Sequence, residues 1–68
     1  MREVSIRGDT IRLGQALKLS GLASSGGEAH ALVERGAVTV NGEVERRRGR
    51  QLHPGDVVAV EGDSVRIV

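Results

Sequence analysis

The apolar residues of this 68-residue chain follow two periods, one typical of helices and one typical of strands. Within residues 11–19, Leu13, Ala16 and Leu17 lie at the spacing i, i+3 and i+4, on one face of a predicted helix. The same spacing recurs within residues 29–33 and predicts the buried side of a second helix. Strands, indicated by short apolar runs and by alternation of apolar and polar residues, are predicted over residues 3–7, 38–40, 43–45, 57–60 and 64–68.

The predicted helices have recognisable ends. An aspartate or threonine at residues 9–10 is expected to cap the first helix, and Gly21 is expected to end it. One of the two serines at residues 24–25 is expected to cap the second helix, with Glu28 in its first turn, where the helix dipole favours an anion. Gly36 then supplies the left-handed residue after the last turn. The short link between the helices predicts a helical hairpin.

Turn residues separate the predicted strands. Asn41–Gly42 is the strongest two-residue signal for a β-hairpin, and it lies between two short strands. A second turn is predicted at residues 53–56, and a third at residues 61–63. The first and last strands have similar lengths, so they could pair with each other, either within one chain or between two chains. No linker divides the sequence, which predicts a single domain over residues 1–68.

Composition excludes several classes of protein. The chain has no Phe, Trp or Tyr, so its core must be aliphatic and it offers no aromatic platform for stacking nucleic-acid bases. It has no Cys, which excludes disulfides and cysteine-based zinc or redox sites. No apolar run is long enough for a signal peptide or a membrane span. We therefore expect a soluble cytoplasmic protein without a membrane partner.

The positive charge of the chain is concentrated in one short segment. Four of its ten Lys and Arg residues lie within residues 46–50, although the formal net charge of the whole chain is only +1. Closely spaced guanidinium groups suit a phosphate backbone, which each can bind through two hydrogen bonds. The run alone is equally compatible with a solvated surface, in which Arg46 or Arg48 would pair with Glu43, Glu45 or Glu61. Alternation along a strand would direct Arg46 and Arg48 to one side and Arg47 to the other.

Residues that could support catalysis are sparse. His30 and His53 are the only histidines, and neither has a neighbouring set of ligands for a metal or a partner for acid–base chemistry. The serines near the second helix have no partner that marks a nucleophile. Gly26 and Gly27 do not form a nucleotide-binding fingerprint. They lie at the start of a helix, however, and its amides could donate hydrogen bonds to one backbone phosphate. We expect no enzymatic activity, no cofactor and no metal.

Two spaced motifs carry a resemblance to a known family. A G-x-V-x-V-N-G pattern begins at Gly36, and a P-G-D-x-V turn begins at Pro54. Together with the two preceding helices, these motifs resemble the S4-type RNA-binding domain, whose core is called the alpha-L motif, over about residues 11–60. Residues 17–23, 25–29 and 47–50 are most similar to its stand-alone, YbcJ-like bacterial branch. The resemblance implies an α+β fold, with a two-helix hairpin packed on a small, curved, mostly antiparallel sheet.

The resemblance also implies RNA binding through the start of the second helix and the adjacent β-loop. The contact residues carried over by position are Lys18, Ser25, Gly26, Gly27, His30, Asn41, Arg46, Arg47, Arg48 and Arg50. Gly26 and His30 depart from the pattern, because typical members have a basic residue at both positions. More of the phosphate binding would therefore fall on the arginine run. Asn41 has a competing interpretation as the residue that supplies the positive φ of its turn.

We therefore expect a non-catalytic module that binds structured RNA, ribosomal or transfer RNA, as a monomer and in association with the ribosome. A-form duplexes hide their base edges from side chains, so recognition would depend on shape and phosphate position. The alternative is a protein-interaction module within a ribosomal or RNA-processing complex, which would require an exposed apolar patch or sheet edge. The RNA hypothesis requires the arginines and the start of the second helix to meet on one side of the molecule.

Overall fold

Two helices pack against one face of a five-stranded sheet, and a separate two-stranded ladder lies beside the first helix. The computed structural model describes all residues 1–68. The elements are β1 (Arg2–Val4), β2 (Ile11–Arg12), α1 (Leu13–Ser20), α2 (Gly26–Glu34), β3 (Val38–Val40), β4 (Glu43–Val44), β5 (Gln51–Leu52), β6 (Val57–Val60) and β7 (Asp63–Ile67). The predicted α+β fold with a helical pair on a mostly antiparallel sheet is confirmed. Neither helix is long and apolar enough to cross a membrane.

The five-stranded sheet has the order β1-β7-β6-β3-β4. The two terminal strands pair in parallel within one chain, with Val4 opposite Ile67, and the other three pairings are antiparallel. The first strand is shorter than predicted, but the Ile6 amide still donates to the Val68 carbonyl at 3.1 Å. The ends of the chain are thus hydrogen-bonded to each other, which closes the domain.

The core is aliphatic, as the composition requires. Both helical stripes predicted from the spacing are buried, and alternate residues of β3, β6 and β7 meet them from the sheet. The fully buried larger side chains are Leu13, Leu17, Val33, Val38, Val40, Leu52, Val58, Val65 and Ile67. Leu52 lies in β5 outside the main sheet, so its burial fixes the segment that follows the arginine run against the core.

The first helix begins later than predicted, and its cap is not a side chain. Ile11 and Arg12 form a strand that pairs with β5, so capping by the aspartate or threonine at residues 9–10 is wrong. The Leu13 amide donates instead to the Arg50 carbonyl at 2.8 Å, and the Gly14 amide donates to the Arg48 carbonyl at 3.0 Å. These distant carbonyl groups satisfy amides that a helix leaves without partners. The arginine loop, residues 46–50, is therefore docked on the start of α1.

The second helix begins and ends as predicted. Ser25 is the cap, and its Oγ accepts a hydrogen bond from the Glu28 amide at 3.1 Å. The Glu28 carboxylate accepts in return from the Ser24 amide at 2.7 Å. At the other end, Gly36 has a φ of 78° and Arg35 lies at the C-cap. Local chemistry alone therefore defines this helix.

Asn41 has two structural functions at the predicted hairpin turn. Its φ of 53°, followed by 87° at Gly42, is the turn geometry that matches the twist of paired strands. Its side-chain amide donates to Asp56 Oδ1 at 3.0 Å and accepts from the Val57 amide at 2.9 Å. The hydrogen bond from Asn41, followed by that from the His53 amide, lowers the pKa of Asp56. Asn41 therefore connects two turns that are distant in sequence.

Glu45 is the only buried charged residue, and it organises the arginine loop. Its Oε2 accepts from Arg47 Nε at 3.2 Å and from the Arg47 amide at 3.1 Å, while Oε1 accepts from Arg50 Nη1 at 3.0 Å. The hydrogen bonds from the side chains of Arg47 and Arg50, and then from the Arg47 amide, lower the pKa of Glu45 from 4.5 to about 2. These bonds offset the loss of hydration on burial. The carboxylate thus holds both ends of the loop.

Replacement of Asn41 by glycine keeps the positive φ but removes the side-chain bonds to Asp56 and Val57. We expect Asn41→Gly to lower the free energy of unfolding by about 1–2 kcal/mol in urea denaturation. Glu61 is the matched control, because it also has a positive φ, 49°, but makes only an exposed ion pair with Arg35. If Asn41→Gly and Glu61→Gly cost the same, the Asn41 side chain does not stabilise the fold.

The lowered pKa of Glu45 predicts a pH-dependent stability. Because the ionised form is favoured in the folded state, its contribution is complete above pH 4.5 and is lost as the pH falls towards about 2. Glu45→Gln should therefore be less stable than the wild type at neutral pH, and urea denaturation at decreasing pH should show the gap closing. Glu43→Gln is the control, since Glu43 is exposed and makes no ion pair. A gap for Glu45→Gln that stays constant down to about pH 2 would contradict the assignment.

Candidate nucleic-acid interface

A concave surface lies between the two helices and the arginine loop. It has a volume of about 340 Å³, and three exposed cationic residues line it: Arg12, Lys18 and Arg48. Its remaining lining residues are Gly14, Gln15, Gly26, Ala29 and Gly49, so no carboxylate lies among them. We call this surface the cationic groove. Glycines on three sides keep it open, and the charges converge on a space that an anion could enter.

The start of α2 forms one wall of the cationic groove. The Gly26 and Gly27 amides donate no hydrogen bond within the protein, because the Ser25 hydroxyl is used by the amide of Glu28. A Cβ atom at Gly26 would meet no atom within 4 Å, so the space beside its Cα is open. The positive end of the helix dipole and the side chains of Lys18 and Arg48 act in the same direction. The wall can therefore donate hydrogen bonds to an anion as well as attract it.

A second, slightly smaller concavity continues along α2 on the other side of Arg48. His30, Glu34, Arg46 and Arg48 are its polar lining residues. Arg46 Nη1 donates to the Glu34 carbonyl at 3.0 Å, which holds its guanidinium at the end of the helix. His30 Nε2 lies 3.3 Å from a carboxylate oxygen of Glu34. Arg48 lines both concavities, so it is the central cation of a band that runs along α2.

The four arginines of the loop point in different directions and have different partners. Arg46 and Arg48 face α2 together while Arg47 turns to Glu45, which confirms the alternation predicted from the sequence. The ion pairs of the alternative, a solvated surface, are not made by Arg46 or Arg48, since Glu45 pairs with Arg47 and Arg50, and Glu61 pairs with Arg35. Arg48 takes part in no ion pair. Among the four arginines of the loop, the one whose side chain has no hydrogen-bond or ion-pair partner is therefore the one at the centre of the band.

Not all of the RNA-contact residues expected from the sequence lie in this band. Lys18, Gly26 and Arg48 line the cationic groove, His30 and Arg46 line its continuation, and Ser25 and Gly27 flank Gly26 at the start of α2. Arg47 and Arg50 are bound to Glu45, although Arg47 keeps 79% of its side chain exposed. Asn41 lines neither concavity, and its side chain is occupied by the adjacent turn.

Two polar residues of the cationic groove, Arg12 and Gln15, were not predicted from the sequence. Arg12 lies in β2, a strand that was predicted as part of a helix, so its direction could not be inferred. Gln15 lies three residues before Lys18 in α1, and this spacing places both on one helical face. That spacing was the available signal for Gln15. No local pattern identifies Arg12.

Comparison with known proteins places these features in a family. The sequence model of the S4 domain matches residues 4–68. RlbA of Bacillus subtilis (strain 168), a protein named for ribosome maturation, is 48% identical over 59 residues, which are 87% of this chain and 83% of that protein. YbcJ of Escherichia coli (strain K12), named as an RNA-binding protein, is 36% identical over 58 residues, which are 85% of this chain and 83% of that protein.

The same relationship appears in three dimensions. The solution structure of E. coli YbcJ, described as having an alfaL motif involved in RNA-binding, superimposes with a TM-score of 0.76 and 33% sequence identity. The alignment covers 100% of this chain and 87% of that chain. Family model, sequence relatives and fold agree with the resemblance carried by the G-x-V-x-V-N-G and P-G-D-x-V motifs. The chain belongs to the S4 domain family.

Proposed function

We propose that this protein is a non-catalytic RNA-binding module that holds structured RNA through phosphate contacts in the cationic groove. The convergence of Arg12, Lys18 and Arg48 on the groove wall at Gly26, whose amide donates no hydrogen bond within the protein, carries the proposal. Membership of the S4 domain family and the names of the relatives support RNA as the anion. The groove contains no histidine, carboxylate, hydroxyl or thiol group among its lining residues, which supports a binding rather than a catalytic site.

The groove suits a phosphodiester backbone in particular. The Arg48 guanidinium can donate two parallel hydrogen bonds to one phosphate, whereas Lys18 acts as a compact charge. The Gly26 and Gly27 amides can bind a second phosphate with the help of the helix dipole. Arg12 and Arg46 extend the cationic band in two directions, which fits a strand of successive phosphates. Arg47 and Arg50 form ion pairs with Glu45, so they contribute less directly to phosphate binding.

We propose a structured target such as ribosomal or transfer RNA, bound in the cytoplasm by a monomer. The lack of aromatic residues leaves no base-stacking platform, so phosphate geometry and shape must carry recognition. The relative named for ribosome maturation supports a ribosomal context. The edges of the sheet are strands of two and three residues, and edges this short disfavour pairing with a second chain.

One observation favours the alternative of a protein-interaction module. The face of the sheet opposite the helices exposes Val44 by 55%, and Thr39 of β3 separates it from the partly buried Ala59 and Val57 of β6. This apolar group is small, and it lies on a surface different from that of the cationic groove. Recovery of one specific protein from a nuclease-treated lysate, with loss of that protein by Val44→Asp, would favour this function. If that protein is recovered and no RNA binding is detected, protein interaction replaces RNA binding as the proposed function.

The first test is RNA affinity at two salt concentrations. With a fluorescent RNA hairpin, we expect Arg48→Ala to weaken binding about tenfold, as a charge-assisted hydrogen bond is lost. Between about 50 and about 200 mM salt, its slope of log K against log salt should be smaller by about 0.7–0.9, the value for one phosphate contact. Lys18→Ala should act in the same direction.

Arg66 provides a matched control, because it is exposed on the other face of the sheet and makes no ion pair. Arg66→Ala removes the same charge from the protein and should leave both the affinity and the salt slope close to the wild type. If Arg48→Ala, Lys18→Ala and Arg66→Ala bind alike, the groove is not the RNA surface and the effect of charge is general.

The second test is a charge substitution at His30, which faces Arg46 and Arg48 from the loop and Glu34 from its own helix. His30→Lys adds a permanent cation to the continuation of the cationic groove, so it should strengthen binding of the RNA hairpin and steepen the salt dependence.

His53 is the control for this experiment, because it lies in a distant turn, 3.9 Å from Asp56, and lines neither concavity. His53→Lys adds the same charge and should leave RNA affinity close to the wild type. Equal effects of His30→Lys and His53→Lys would remove His30 from the site.

A further inference from the structure

The first turn of α1 has a glycine where any side chain would collide with an arginine. A Cβ atom at Gly14 would lie 2.9 Å from Arg48 Cγ and 3.5 Å from Arg48 Cδ. Real Cβ atoms essentially never approach another heavy atom below 3.0 Å. The aliphatic stem of Arg48 therefore lies directly over the position that a side chain at residue 14 would occupy.

The backbone gives no other reason for glycine at this position. Gly14 does not have a positive φ, and it lies inside a helix, where glycine is less favourable than alanine. Its amide donates to the Arg48 carbonyl at 3.0 Å, but any residue except proline could make that bond. The space above its Cα is what glycine alone provides, and Arg48 fills that space.

Each arginine of the loop has its own support. Glu45 holds Arg47 and Arg50 through hydrogen bonds. The two arginines that face α2 lie instead over glycines: a Cβ at Gly36 would lie 2.8 Å from Arg46 Nη2, just as one at Gly14 would meet Arg48. Glycine is also favoured at residue 36 because its φ is 78°. A substitution there would therefore strain the backbone as well as displace Arg46. Gly14 has only the steric function and can be tested.

We propose that Gly14 is a positioning residue of the RNA-binding surface, which acts by leaving the space in which Arg48 reaches the cationic groove. This inference rests on the proposed function of the groove. The orientation of Arg48 in the loop would thus depend on the lack of a side chain at residue 14 in α1. A methyl group at residue 14 displaces Arg48 without removing any charge from the protein.

The test is a double-mutant cycle of wild type, Gly14→Ala, Arg48→Ala and the combined variant, with two measurements on each protein. In thermal unfolding, Gly14→Ala should lower Tm in the wild type. It should raise Tm or leave it unchanged in the Arg48→Ala background, where Cγ and Cδ are gone and alanine favours the helix. This measurement needs no RNA, so it tests the steric contact by itself.

In RNA binding, Gly14→Ala should weaken affinity by about the same factor as Arg48→Ala, about tenfold, and should reduce the salt slope equally. The combined variant should bind no more weakly than Arg48→Ala alone. Wild-type affinity for Gly14→Ala, together with weak binding by Arg48→Ala, would overturn the positioning function and leave the proposed function intact.

Two further outcomes are decisive. Wild-type affinity for Arg48→Ala would overturn the proposed surface, and with it the inference, whatever the stability cycle shows. If Gly14→Ala does not fold, the combined variant decides: folding restored by Arg48→Ala supports the contact with Arg48, and failure of both overturns it.

Discussion

The candidate interface depends on hydrogen bonds between the arginine loop and the first turn of α1. The Leu13 amide bonds to the Arg50 carbonyl and the Gly14 amide to the Arg48 carbonyl, at 2.8 and 3.0 Å. Because the acceptors are backbone groups, these two bonds use none of the guanidinium groups of the loop. The same bonds satisfy helix amides that no side chain caps. The β2–β5 ladder, with Ile11 opposite the buried Leu52, continues this attachment into the core.

Crowding of like charge in the arginine loop is relieved by two groups. The buried Glu45 carboxylate compensates Arg47 and Arg50, and the carbonyl of Glu34 at the end of α2 accepts from Arg46. Arg48 receives no compensating anion and lies over Gly14 at the centre of the cationic band. Arg48, like Arg12 and Lys18 in the same groove, is therefore left without an ion-pair partner in the protein.

Features with a local cause were predictable. The Ser25 cap, the left-handed Gly36 and the Asn41–Gly42 turn all depend on groups within a few residues of each other, and each was found where the sequence indicated. The helical stripes were also correct, because burial follows from spacing when only one face can meet the sheet. The start of α1 was wrong because its cap comes from a distant loop, which competes successfully with the nearby aspartate and threonine.

The sequence alone indicated a helical hairpin, several short strands, an aliphatic core and a concentration of positive charge after the central hairpin. Those properties follow from the period of apolar residues and from the local chemistry of turns and caps. Only the tertiary structure decided that Arg48 rather than Arg47 faces α2, that Arg12 joins it, and that Glu45 is buried. The reason is that a side chain's partners depend on which surfaces the core brings together, and residues far apart in sequence form those surfaces.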